Sequence, residues 1–352
     1  MTYQKIAVIP GDGIGVEVTR EALHVLECVT EKFGLPLVFE SFDWGADKYL
    51  AEGVTLPEGA VEMFERDFAA IFTGAFGDPR VPDNRHAADI LLGLRFKLDL
   101  YINLRPIVLL NDWLTPLKGR VLQDLNFVIF RENTEGLYVN AGGVLKRGTA
   151  DEVAIQEEIN TRRGVERIIV AAFDYARNHG RTRVTLADKS NLLTYGHDLW
   201  RRTFREVALR YPEIDANAQY IDAMAMLMIT NPEQYQVIVT NNLFGDILTD
   251  LGAGLVGGLG LAASGNIHPG RVSLFEPVHG SAPTIAGKNI ANPFGAILTA
   301  AMMLEYLGHL DASQAVEHAV IDCIARNEVT VDIGGTLSTS EAGEAVLNLL
   351  RS

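Results

Sequence analysis

Two aspartates in the run NNLFGDILTDLG, Asp246 and Asp250, are four residues apart among Leu243, Phe244, Ile247, Leu248 and Leu251. On a helix that spacing sends both carboxylates off one face. A solvated acidic face has the same spacing. The apolar neighbours argue for burial, however, and buried carboxylates side by side repel unless a cation compensates them. All-oxygen ligands suit a hard ion, Mg²⁺ or Mn²⁺. A third acid, Asp222, stands alone in the apolar run YIDAMAMLM. By itself it reads first as a helix cap, and it becomes a ligand candidate only beside the other two.

The basic counterparts are Arg95 and Arg105 in LRFKLDLYINLRP and Arg131 in FRENTEGLY. Planar guanidinium forks match carboxylates bidentately, so three brought together would hold a di- or tricarboxylate; taken singly, each reads as a surface arginine. Tyr138 and Lys189 are possible proton donor and acceptor, although a lone Tyr or Lys is normally structural. GDGIG at 11–15 spaces its glycines as GxGxG, not GxGxxG, so it is not a dinucleotide fingerprint. A second glycine-bearing loop, EPVHGSAPTIAGKNIANP at 276–293, offers backbone amides and His279. It reads as a nucleotide cradle or as a plain surface loop.

The chain that must position these groups has 352 residues, long enough for two domains of ordinary size. Thirty basic against 45 acidic residues give a formal charge of −15, which opposes binding to nucleic acid and to anionic membranes. An anionic substrate would therefore need a local arginine cluster or a divalent cation. Cys28 and Cys323 have no CxxC or zinc-finger partners and read as reduced, buried thiols of a cytoplasmic protein. No signal peptide or membrane segment is legible; the uncharged stretch nearest to one, 251–263, is short and glycine-laden.

Strand-like runs alternate with helical spacing along the chain. KIAVIP at 5–10 precedes a helix over 17–30, and FAAIFTGAFG at 68–77 precedes HAADILLGLRFKLDL. NFVIFREN at 126–133 is another strand, RVTLADK at 183–189 precedes LLTYGHDLWRRTFREVA, and QVIVTNN at 236–242 precedes FGDILTDLGAGL. PFGAILTAAMMLEYLG, from 293, is a further helix. This alternation predicts an α/β fold with helices covering a buried sheet. AGGVLKRGTADE at 141–152 reads as an excursion or arm. Periodicity alone places no domain boundary.

Taken in order, IPGDGIG, LRFKLDLYINLRP, RENTEGLY, DKSN, YIDAMAM, NLFGDILTDLG, EPVHGSAPTIAGKNIANP and the closing VDIGGTLSTSEAGEAV resemble the β-decarboxylating dehydrogenases, the family of isopropylmalate, isocitrate, homoisocitrate and tartrate dehydrogenases. The resemblance implies a two-domain α/β isocitrate/isopropylmalate dehydrogenase-like fold, not a Rossmann fold, with a dimerisation arm. By this analogy residues 1–105 and 256–352 form the larger, cofactor-binding domain and 106–255 the smaller one with the arm. It implies NAD-dependent oxidative decarboxylation of a 3-substituted malate. Arg95, Arg105 and Arg131 would hold its carboxylates, with Asn191 beside them. Asp222, Asp246 and Asp250 would bind Mg²⁺ or Mn²⁺, and Tyr138 and Lys189 would be the acid–base pair. Loop residues His279, Gly280, Ser281, Ala282, Thr284, Ile285 and Asn292 would cradle the cofactor. In this family the equivalents of Lys189 and Asp222 reach across from a second subunit, which implies a homodimer or a higher homo-oligomer with shared sites.

Within the family, AADILLGLR places Leu91 and Leu92 where isopropylmalate enzymes pack leucines on the isopropyl group, whereas a substrate carboxylate would be repelled by Asp89. RENTEGLY is closer in wording to the homoisocitrate, isocitrate and tartrate branches. The reading is therefore 3-isopropylmalate, with homoisocitrate, isocitrate and tartrate or D-malate as alternatives. Thr284 and Ile285 stand where NAD users carry Asp and NADP users carry Lys and Tyr, which favours NAD with NADP still open. A catalytically silent regulatory subunit would be expected to have lost some of the arginines, Tyr138, Lys189 or the aspartates, and all are present. A metal-dependent phosphate hydrolase would need further His or carboxylate ligands.

Overall fold

The computed structural model describes residues 3–352, which form two compact units. The first takes the chain up to Leu100, Val108–Leu122 and Ala253–Ser352; the second takes Tyr101–Ile107 and Gln123–Gly252. The chain therefore changes unit more often than boundaries at 105 and 255 would have it. Segment 108–122 returns to the first unit, where Leu109 and Leu114 anchor it while Trp113, Val121 and Leu122 stay exposed. Leu109 and Leu114 are both under 9% exposed, and Leu114 lies against Gly257.

In the first unit β1 (Gln4–Ile9), β2 (Leu37–Ser41), β3 (Ala70–Thr73), β11 (Ala263–Ile267) and β12 (Ser273–Pro277) lie in the order β2-β1-β3-β12-β11, numbered along the chain. The β1–β2, β1–β3 and β3–β12 pairs are parallel and the β11–β12 pair is antiparallel. Each of β1 and β3 is an almost unbroken apolar run, as strands covered on both faces must be. On one side pack α1 (Ile14–Phe33), α10 (Phe294–Tyr306), α11 (Leu310–Ala325) and α12 (Thr339–Arg351). Ten of the residues of α10 are buried, so this helix is apolar all round rather than on one stripe. A capping box, with Ser338 accepting from Glu341 and Glu341 reaching back, starts α12.

Shorter helices of this unit include α2 (Ala46–Glu52), α3 (Ala60–Asp67) and a composite over 85–97. That composite runs from α4 (Arg85–Ala87) through a π-helical turn at Ala88–Leu92 into α5 (Gly93–Lys97), with the Gly93 N–H donating to Ala88. Its Ile90, Leu94 and Leu98 enter a core with Trp44, Phe64 and Phe68, rings that meet at 5.4–5.5 Å. Burying each such side chain is worth roughly 1.5–3 kcal/mol, so the composite helix is firmly seated.

The second unit holds β4 (Ile102–Val108), β5 (Asn126–Glu132), β8 (Arg183–Asp188), β9 (Asp215–Tyr220) and β10 (Val237–Thr240) in the order β4-β5-β10-β8-β9. The β5–β10, β10–β8 and β8–β9 pairs are parallel. The buried faces of α6 (Arg162–Asn178) and α7 (Gly196–Ala208) cover this sheet with Phe173, Trp200 and Phe204, while α8 (Ile221–Thr230) and α9 (Asn242–Leu255) follow β9 and β10. The expected excursion is an antiparallel hairpin, β6 (Gly142–Leu145) with β7 (Val153–Gln156), exposed at every residue. No helix among the described residues is long and apolar enough to cross a membrane.

Candidate active site

Arg131 is the last residue but one of the buried strand β5 and is itself 2% exposed. Its guanidinium donates Nε and Nη2 to Asn242 Oδ1 at 3.0 and 2.7 Å and Nη1 to Asp246 Oδ1 at 2.5 Å. The second oxygen of Asp246 accepts from the Tyr138 hydroxyl at 2.8 Å, and the same guanidinium lies 5.5 Å from the Tyr138 ring centre. Arg105, on β4, donates to Thr249 Oγ1 at 2.7 Å and faces Asp250 at 3.5 Å. Five residues from four stretches of sequence thus converge, with the two α9 carboxylates opposite two guanidinium groups.

Local sequence explains the convergence. Glu132 is buried and accepts the backbone N–H groups of Thr134 and Glu135 at 3.0 and 2.7 Å, which turns the chain tightly after β5 and returns it at Tyr138. Burial pushes the Glu132 carboxyl up, against the pull of those hydrogen bonds. On the α9 side Gly245 has no alternative: a Cβ there would lie 2.5 Å from Arg131 Cγ. Burial alone would raise the Asp246 carboxyl, but the charge of Arg131, the Tyr138 hydroxyl and the charge of Arg105 outweigh it and hold it below the ordinary range.

Lys189 and Asp222 form a second group. Lys189 follows the end of β8, and its ammonium donates to Asp222 in the first turn of α8. Asp222 is therefore not the cap of that helix: Tyr220 holds the N-cap position, with no side-chain cap. The Lys189 bond holds the Asp222 carboxyl below its usual range. Asn191, two residues past Lys189 in the sequence, is exposed. Among the described residues no three His, Cys, Asp or Glu side chains of this one chain gather closely enough to hold a metal. Asp222 is thus kept apart from Asp246 and Asp250 within one copy.

In the first unit, Arg95 faces Glu276 at 3.8 Å, both largely shielded. Leu91 packs against the aromatic core, Leu92 is half-buried, and Asp89 accepts from Thr55 at 3.0 Å. The GDGIG loop proves to be scaffolding. Gly13, at φ 56°, has its Cβ position 2.1 Å from the Ser281 carbonyl, which accepts the Ile14 N–H at 2.9 Å. Asp12 takes the N–H groups of Ala46 and Gly77 and meets His86 Nε2 at 2.8 Å. The first helical turn is thereby occupied by protein, not open for a pyrophosphate.

The 276–293 loop packs on that scaffold. His279 is held below its ordinary value by burial, and its Nε2 is buried with no partner among the described residues, the kind of orphan a bound ligand satisfies. Gly280 and Thr284 are exposed, Ile285 is half-buried, and Ala282 has φ 40°. Asn292 bonds Asp332 at 3.1 Å and the start of α10 at 2.9 Å. Residues the sequence reading passed over are Asn242, Thr249 and Glu276, which hold the three arginines. Only Thr249 carried a legible signal, one residue before Asp250 on the helix.

The chain matches the isocitrate/isopropylmalate dehydrogenase family over residues 5–346. It is 45% identical to the 3-isopropylmalate dehydrogenase of Thermobifida fusca over 97% of this chain and 96% of that one. It is 43% identical to the tartrate dehydrogenase/decarboxylase of Pseudomonas putida, over 98% and 97% respectively. A crystal structure of isocitrate dehydrogenase from Methylococcus capsulatus superimposes with a TM-score of 0.90 at 38% identity, covering 99% of this chain and all of that one.

Proposed function

This chain belongs to the isocitrate/isopropylmalate dehydrogenase family, whose members are decarboxylating oxidoreductases using a nicotinamide cofactor with Mg²⁺ or Mn²⁺, and from that premise we propose that it oxidises and decarboxylates 3-isopropylmalate with NAD. The observation that carries the reading is the convergence of Arg105, Arg131, Tyr138, Asp246 and Asp250. Leu91 and Leu92, on the π turn, support an apolar substituent at the malate 3-position.

Arg95, Arg105 and Arg131 bind the substrate carboxylates, which their forks match. Each already faces a carboxylate in this structure: Glu276, Asp250 and Asp246. The donor set of Asp246, Asp250 and Asp222 is all oxygen and fits a hard divalent cation, with Asp222 coming from a second copy of the chain. When bound, that cation supplies positive charge at the substrate hydroxyl and carbonyl, and NAD supplies the hydride acceptor. Lys189, which comes with Asp222 from the second copy, would take the hydroxyl proton as the neutral amine, once its ammonium has given up to solvent the proton now shared with Asp222. After carbon dioxide leaves, Tyr138 returns a proton to carbon, its hydroxyl held by Asp246 until then. The orphaned Nε2 of His279 and the exposed Thr284 suit the cofactor's adenosine end.

A homodimer is supported by apolar side chains left in solvent near Lys189 and Asp222 in the sequence. Tyr195 is 92% exposed, Leu192 70%, Met226 58% and Ile247, beside Asp246, 54%. The exposed β6–β7 hairpin is the proposed dimer arm. Cys28 and Cys323 are both free, Cys323 buried as expected and Cys28 only half-buried, and two unpaired thiols fit the cytoplasmic reading.

A second reading, tartrate or D-malate turnover, is favoured by RENTEGLY and by the Pseudomonas putida relative. Initial rates of NAD and NADP reduction with Mn²⁺ across 3-isopropylmalate, isocitrate, homoisocitrate, tartrate and D-malate decide between them. Selective turnover of 3-isopropylmalate with NAD is expected. Preference for tartrate or D-malate would replace it with the second reading, and no turnover at all would point to a silent subunit.

A further inference from the structure

Lys189 is the first residue past the end of β8, whose ladder to β9 closes at the Asp188–Tyr220 pair. Its backbone N–H therefore has no strand partner. It donates instead to Nδ1 of His197, at 3.0 Å, in the first turn of α7. An imidazole nitrogen that accepts carries no proton, so in the neutral ring the proton is on Nε2. Nε2 lies between Glu158 Oε1 at 3.4 Å and the Asn241 amide nitrogen at 3.3 Å, and that amide itself donates to the same Glu158 oxygen at 2.9 Å, which leaves Glu158 as the acceptor for an Nε2 proton. His197 is 1% exposed and touches the ring of Phe244, with centroids 5.2 Å apart. Burial alone would raise the Glu158 carboxyl, but its bonds to His197, Asn241 and Asn160 leave it below the ordinary range, charged and ready to accept.

We propose that His197 is a positioning residue for Lys189, its Nδ1 fixing the Lys189 backbone and its Nε2–H anchored on Glu158. The proposal rests on the acid–base reading of Lys189. The lever is long: a backbone rotation of about 10° carries an ammonium about 6 Å from its Cα through about 1 Å. Misplacement on that scale costs on the order of 100-fold in rate. Glu158 lies just past β7, so the foot of the exposed hairpin is tied through one imidazole to the lysine.

The two amide replacements separate this role from packing. In His197→Asn the side-chain oxygen takes the place of Nδ1, whereas in His197→Gln the amide reaches the place of Nε2 and leaves the Lys189 N–H unaccepted. With 3-isopropylmalate, NAD and Mn²⁺, the Asn variant should keep kcat within about threefold, and the Gln variant should lose about 10- to 100-fold in kcat with KM moved less than about twofold. Both variants should melt alike. Equal kcat for the two, or the reverse order, overturns the proposal. Should either variant fail to fold, ¹⁵N-histidine NMR of the wild-type enzyme reads the tautomer directly: a protonated Nε2 with an unprotonated Nδ1 is required, and the opposite tautomer overturns it. Lys189→Met separates the two failures. If it keeps turning over, the reading of Lys189 itself falls; if it is inactive while the His197 variants are indistinguishable, only the His197 proposal falls.

Discussion

Asp246 is held by two partners at once, the Arg131 guanidinium at 2.5 Å and the Tyr138 hydroxyl at 2.8 Å. Its carboxyl is held below the ordinary 3.8, despite burial, by the charge of Arg131, the hydroxyl of Tyr138 and the charge of Arg105. A carboxyl whose folded value is depressed adds stability above its unfolded value and loses it as pH falls through the folded value. The stability gap between wild type and Asp246→Asn, measured by urea melts in metal-free buffer, should therefore be flat from about pH 7 to about pH 5 and shrink below about pH 4. A gap that widens with acid would show that Arg131 does not hold this carboxylate.

At the scale of elements, the site depends on how closely α9 lies on β5. Gly245 lets the helix pass within van der Waals distance of the Arg131 stem, and a Cβ there would be 2.5–2.6 Å from Arg131 Cγ and Cβ. Gly245→Ala returns about 1 kcal/mol of helix propensity but overpacks at a cost of about 1–3 kcal/mol. The expected result is a net loss of up to about 2 kcal/mol, with KM for the malate raised at least about tenfold as Arg131 is displaced. Chemical denaturation and steady-state rates read both. Unchanged KM would mean that Arg131 adjusts freely or does not hold substrate. The π turn at Ala88–Leu92 has a comparable role in the other unit, shifting the helix frame so that Ile90 and Leu94 fill the core while Leu92 stays half-buried.

At the scale of the whole molecule, one chain holds Asp246 and Asp250 on α9 and keeps Asp222 on Lys189. If the three carboxylates share one cation as proposed, Asp222 has to come from a second copy. Met226→Glu, on the exposed face of α8 that follows Asp222, should turn a dimer into a monomer and remove activity together with it. Sedimentation velocity beside the activity assay checks this. A fully active monomer would show that the site is complete in one chain.

Residue types and spacing already determined much of this protein. The alternation of apolar runs and helical spacing announced the α/β fold, and the i, i+4 spacing put Asp246 and Asp250 on one face of α9, because both follow from local periodicity that needs no partner; the burial argued from their apolar neighbours is reached only in part, since Asp250 is exposed where it faces Arg105. The GxGxG spacing likewise sufficed to set aside a dinucleotide fingerprint, and the structure adds why: Gly13 and Ile14 face Ser281. The identity of the family came from ordered motifs rather than from periodicity. Only the tertiary structure decided which arginine faces which carboxylate, that Asp222 pairs with Lys189 instead of capping its helix, and that His197, eight residues on, meets the lysine's backbone. Each of these pairs residues from different strands and helices. Their meeting is fixed by strand order and helix packing, which no local spacing along the chain encodes.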